Sequence, residues 1–93
     1  MSGPSTIVWT EYMRYRSRLR GFDLTKIEEI VRFSSERYID TATGRYVVVG
    51  RHRKVLVLIP YEIKENFIIP ITVHVTTRQQ IKFRLKTGRY VYE

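Results

Sequence analysis

The longest apolar runs of the chain fall in three consecutive segments between Arg45 and Thr77, reading RYVVVG, KVLVLIPYE and NFIIPITVHVTT. Val, Ile and Tyr dominate them, and β-branched and aromatic side chains suit a pleated, buried surface. Nearly every position of the first two runs is apolar, so they read as central strands covered on both faces. The third run alternates. Ile69, Ile71, Val73 and Val75 are expected on one side and Ile68, Pro70, Thr72, His74 and Thr76 on the other. That half-polar side, with its histidine and threonines, is where a site is sought.

Before these runs, residues 1–5 are small and polar and read as a frayed end, and TIVWT reads as a short edge strand. In EYMRYRSRLR two periods compete: Arg14, Arg16, Arg18 and Arg20 recur as in a strand, while Tyr12, Tyr15, Leu19 and Phe22 recur as in a helix. Helix is preferred, with Gly21 ending it and Asp23 capping the next. LTKIEEIVRF is unambiguous, since Leu24, Ile27, Ile30 and Val31 form one stripe and Glu28 pairs with Arg32 at i,i+4. ERYID, TATG and RYVVVG read as a hairpin.

After the third run the periods compete again. Ile81, Phe83 and Leu85 alternate with Lys82, Arg84 and Lys86, yet Thr77 followed by Gln80 is a capping-box start. A helix over about 78–87, ended by Gly88, is preferred to a strand, and RYVYE adds a last short strand. The expected fold is α+β: two N-terminal helices on a twisted antiparallel sheet of about four strands, with a short C-terminal helix or strand.

Length and charge narrow the function classes. A chain of 93 residues buries only about 60 to 65% of its unfolded surface, so it is read as a single domain. No cysteine is present, which removes disulfides and thiolate metal sites and favours a reducing, cytoplasmic compartment. No apolar run approaches the roughly 20 residues that span a bilayer, and MSGPST lacks the features of a signal peptide, so no membrane partner is expected. The net charge of +8 is uneven: +1 through Gly44 and +7 from Arg45 onward. Such a field implies an anionic partner, most often nucleic acid. Solubility alone is the bland explanation.

Phosphate-binding glycine loops, HExxH pairs and GxSxG turns are absent. Two histidines make a poor metal site, so neither metal nor cofactor is expected. What remains suits phosphodiester chemistry: His52 and His74 as proton carriers among Arg45, Arg51, Arg53, Arg78 and Arg84. Imidazole titrates near neutral pH, and guanidinium fits phosphate oxygens through its fork geometry. On a C-terminal helix, Arg78, Lys82 and Lys86 would stack at i, i+4 and i+8 as a basic ridge. The alternative for each is an ordinary solvated or hydrogen-bonded side chain.

The run ERYIDTATGRYVVVGRH, then VLVLIPYE, then IIPITVHVTTR, preceded by EYMRYRSRLRGFDLTKIEEIVR, resembles small toxins of the BrnT type within the RelE/ParE toxin superfamily. The resemblance implies a helix pair against a twisted antiparallel sheet, a ribonuclease-like cleft, RNA as target, free or ribosome-associated, and a small DNA-binding antitoxin as partner. Gly50 and Arg51 match the family's Gly-Arg, and Thr77 with Arg78 match its Thr-Arg. His74 stands where the family tends to have arginine, and Gln80 where it tends to have glutamate.

The first expectation is therefore a toxin-like, metal-independent endoribonuclease. His74 transfers the proton, Arg78 and Arg51 hold the phosphate, and His52, Arg53, Lys54, Lys82, Arg84 and Lys86 bind the nucleic acid. A second is a noncatalytic RNA- or DNA-binding module, with Tyr46, Tyr90 or Phe83 stacking on bases. The third is a toxin that grips a protein target such as gyrase.

Overall fold

The computed structural model describes residues 6–93, so the frayed end expected for residues 1–5 lies outside the described residues. In chain order the elements are β1 (Thr6–Ile7), α1 (Glu11–Arg20), α2 (Leu24–Phe33), β2 (Glu36–Asp40), β3 (Tyr46–His52), β4 (Val55–Lys64), β5 (Phe67–Pro70), β6 (His74–Val75), α3 (Arg78–Lys86) and β7 (Tyr90–Tyr92). The class is α+β, and both segments with competing periods are helical. Local chemistry explains why. Thr10, Asp23 and Thr77 each accept an amide hydrogen bond at a helix N-terminus, from Met13, Thr25 and Gln80 respectively. Gly21 ends α1 in the left-handed region at φ 73°, where its amide reaches Arg18 O and that of Phe22 reaches Ser17 O.

The strands form one sheet of order β1-β5-β4-β3-β2-β7, with β6 also paired to β4. Every pairing is antiparallel except β1 with β5, which is parallel. The sheet is thus mixed and seven-stranded rather than antiparallel with about four strands. The excess comes from the two-residue β1 on the edge, from β7, and from the breaking of the third apolar run into β5 and β6.

That break has a simple geometric cause. Pro70 lies opposite Tyr61 and His74 opposite Leu58. Three residues separate Pro70 from His74, against two between Leu58 and Tyr61 on β4. One extra residue acts as a bulge and reverses the alternation of faces. Ile68 and Pro70 therefore face the same side as Val73, in the core under α1 and α2, whereas His74 and Thr76 lie on the opposite face. The grouping of Ile68 and Pro70 with His74, which an unbroken strand would give, does not hold.

Helices cover both faces. Met13, Ile27, Ile30 and Val31 of α1 and α2 pack on Val48, Val57 and Ile59. On the other face Ile81 of α3, aided by Leu85, packs on Val47, Val49, Leu56 and Leu58. Each fully buried aliphatic side chain stabilises the fold by roughly 1.5–3 kcal/mol. Arg37 links layers: its guanidinium donates to Val31 O at 2.6 Å and to the Tyr61 hydroxyl at 3.1 Å, which satisfies a carbonyl near the end of α2. Among the described residues no helix is long and apolar enough to cross a membrane.

Gly50 on β3 lies against α2, and a Cβ there would meet Ile30 Cγ2 at 2.7 Å. Ile30 is β-branched and sits on a helix, so it has little freedom to move aside. Gly50→Ala is expected to destabilise the protein by about 1–3 kcal/mol in urea unfolding. The penalty should shrink in an Ile30→Ala background, where the clashing atoms are gone; an equal penalty in both backgrounds would place the strain elsewhere.

Candidate nucleic-acid interface

α3 covers only part of its sheet face. Beside it an open cleft of about 460 Å³ is lined by Leu58 and Pro60 of β4, Thr72 and His74 beyond the bulge, and Gln80 and Arg84 of α3. Arg45, Arg89 and Asp40 close its other end. The bulge delivers His74 to this side of the sheet, and α1 reaches round to hold it there. Arg16 donates from Nε to Thr72 Oγ1 at 3.2 Å and from Nη2 to Val73 O at 3.5 Å, and Nη2 lies 3.5 Å from His74 Nδ1.

Partial burial of the ring pushes His74 below the ordinary imidazole value of 6.5, and the positive charges of Arg16, Arg20 and Arg84 push it the same way. His74 is therefore neutral at neutral pH and a proton acceptor there. Arg84 is fixed by its own neighbour: the guanidinium lies 5.4 Å from the Tyr90 ring centre, and Nη1 donates to the Tyr90 hydroxyl at 3.3 Å. Burial raises the Tyr90 hydroxyl, so this tyrosine stays protonated. Arg89 forks onto Asp40 at 2.6 and 3.0 Å; these bonds hold Asp40 below the usual carboxylate range even though burial opposes them. Arg45 pairs with Glu62 at 3.0 Å.

The other residues singled out from the sequence are placed elsewhere. His52 is 3% exposed; its Nε2 accepts the Asp23 amide at 2.9 Å and its ring packs on Phe22. It couples a strand end to the start of α2 and has no face free for nucleic acid. Arg51, Arg53 and Lys54 are exposed at the β3–β4 turn, with Arg51 donating to Lys54 O at 3.4 Å. Lys54 and Leu58 are separated by about 13 Å of strand. Arg78 does not reach His74's cleft, for its Nη1 is 2.6 Å from Glu36 Oε2. Burial raises Glu36, but hydrogen bonds from Arg78 and the Tyr38 hydroxyl outweigh it and keep the carboxyl ionised.

Helical geometry explains the separation. With Ile81 turned into the core, Arg78, Lys82 and Lys86 fall on one flank of α3, whereas Gln80 and Arg84 fall on the other, beside His74. The basic ridge and the histidine therefore belong to different surfaces. Of the residues proposed to act together, His74 and Arg84 are brought together, while Arg51, Arg53, Lys54, Arg78, Lys82 and Lys86 lie outside the cleft lining. Tyr46 and Tyr90 are likewise unsuited to stacking on bases. Tyr46 stacks on Tyr61 at 5.5 Å, and Tyr90 is buried against Tyr38.

Arg16 and Arg89 were not foreseen as site residues. Arg16 shares the inward side of α1 with buried Met13 and Ser17, whereas Tyr12, Tyr15 and Leu19, whose spacing suggested the helix, lie on its exposed side. Arg89 carries no sequence signal beyond its charge. Among the described residues no group of three or more His, Cys, Asp or Glu side chains is arranged to hold a metal ion. Comparison with protein-family models, curated proteins and solved structures returned no match.

The electrostatics generate a titration prediction. A depressed folded-state pKa means that the unfolded chain takes up the proton first on acidification. The stability linked to His74 is therefore lost as pH falls below 6.5 and levels off below the folded value. In a ¹H–¹⁵N or ¹H–¹³C NMR titration, His74 should show a midpoint below 6.5 that rises in Arg16→Ala. A wild-type midpoint at or above 6.5 would contradict the arrangement.

Proposed function

We propose that this chain is a toxin-like, RNA-acting protein of the RelE/ParE kind, and that it cleaves RNA without metal by attack of the 2′-hydroxyl on the adjacent phosphate. One observation carries the reading: an imidazole lies in an open cleft bordered by arginines. His74 accepts the 2′-hydroxyl proton, and Arg84 with Arg16 stabilises charge on the non-bridging oxygens. The leaving 5′-oxygen takes its proton from water, to which the cleft is open. The sequence resemblance and the covering of a sheet by an N-terminal helix pair support the same assignment. A small DNA-binding antitoxin is the corresponding partner.

A second reading, RNA binding without cleavage, is favoured by a specific feature. Among the described residues, His74 is the cleft's only side chain whose ordinary pKa lies near neutrality, so none of them offers a second proton carrier for the leaving group. Arg78, engaged by Glu36, does not fill that role.

Single-turnover cleavage of RNA in EDTA, scored for 2′,3′-cyclic phosphate ends, distinguishes the two. Cleavage should fall by on the order of 10²-fold or more in His74→Ala with affinity nearly unchanged. Arg84→Ala should lose both rate and affinity, and Arg78→Ala should lose little of either. Binding should weaken with salt at a log-log slope of about −2 to −3, as expected for three or four neutralised phosphates on a single strand. Binding without cyclic phosphate ends would establish the second reading; no binding at low salt would remove both.

A further inference from the structure

The outer part of the same flank of α3 carries a second groove, lined by Gln79, Gln80, Phe83, Arg84, Thr87 and Arg89. Gln80, Arg84 and Arg89 also line the His74 cleft, so the two recesses adjoin across one flank of the helix. Phe83 is 65% exposed, while Ile81 and Leu85 supply the packing of α3 on the sheet. An aromatic ring in this position contributes little to the core. Its surroundings are cationic and amide-bearing, which suits an aromatic ligand that carries negative charge.

We propose that Phe83 is the stacking platform of a nucleobase subsite for single-stranded RNA, continuous with the His74 cleft. The inference rests on the RNA reading above and specifies the form of RNA. A strand whose phosphate lies between Arg84 and Arg89 has a neighbouring base within reach of the Phe83 ring. Arg84 sits on the border of both recesses, oriented by the Tyr90 ring and hydroxyl. The buried Thr76 hydroxyl donates to Gln80 Oε1 at 3.0 Å, which orients the amide and leaves its nitrogen as a donor toward a base or phosphate oxygen. In a duplex the faces of each base are covered by its neighbours, so only an unstacked base can lie on Phe83. An acidic polypeptide would satisfy the arginines but would have no planar partner for the ring.

Three ligands of common length test the subsite: a short single-stranded oligonucleotide with 2′-deoxy sugars to prevent cleavage, its duplex, and an abasic version of the strand. Phe83→Ala and Phe83→Leu should each weaken single-strand binding by about tenfold. Duplex and abasic binding should be unchanged. Phe83→Trp should retain affinity, and its added indole fluorescence should be quenched by the single strand but not by the abasic strand. Phe83 is exposed, so its truncation leaves no core cavity. Equal affinity of Phe83→Leu and wild type for the single strand would overturn the subsite while leaving the RNA reading intact. An equal loss for the abasic strand, or for poly-glutamate, would overturn base stacking. No binding of any nucleic acid by the wild type would remove the RNA reading as well.

Discussion

One extra residue between Pro70 and His74, opposite the stretch of β4 that joins Tyr61 to Leu58, sets which face of the sheet carries His74. Side chains in a strand alternate strictly, so a single added residue sends everything beyond it to the other face. Upstream of the bulge, Ile68 and Pro70 seal the core under the two N-terminal helices. Downstream, His74 and Thr76 emerge beside α3. Without the added residue, His74 would point into the apolar layer that holds Val57 and Ile59, and an imidazole would replace a core side chain.

The same segment is stabilised by a side chain from far earlier in the chain. Arg16 ties α1 to Thr72 and Val73 O, and thereby brings a guanidinium against the His74 ring. This contact does not favour a protonated histidine. A cation beside imidazole opposes a second cation, and the ring remains an acceptor. Arg84, oriented by Tyr90, completes the positive border, whereas Arg89 and Arg45 bring their own carboxylate partners. The cleft is consequently less positive than a count of its arginines implies. An approaching phosphate would compete with Asp40 and Glu62 for two of the three arginines that line it.

Much of the scaffold was legible in the sequence. The apolar runs at Val47–Val49 and Leu56–Ile59 are covered on both faces, and the stripe of Ile27, Ile30 and Val31 packs on the sheet as its helical period implies. Caps at Thr10 and Thr77 decide the two segments whose periodicity alone is ambiguous. The bulge was not legible, because IIPITVHV keeps an unbroken alternation, and Pro70 within it is as compatible with an edge strand as with an extra residue. Site residues followed the same division. His74 and His52 look alike in sequence but differ in burial, since His52 is packed inside and His74 lines the open cleft. The flank of α3 that carries Arg78, Lys82 and Lys86 was separable from that of Gln80 and Arg84 only once Ile81 had been fixed as the buried position.

The proposed function requires nucleic acid to meet the cleft beside α3 rather than the β3–β4 turn, although both are basic. Backbone amide shifts recorded during titration with a noncleavable 2′-deoxy oligonucleotide report this residue by residue. The largest changes should fall on Thr72 to Thr76, Gln80, Arg84 and Arg89, with Arg51 to Lys54 little affected. Changes concentrated at Arg51 to Lys54, with the Thr72 to Thr76 segment silent, would contradict it.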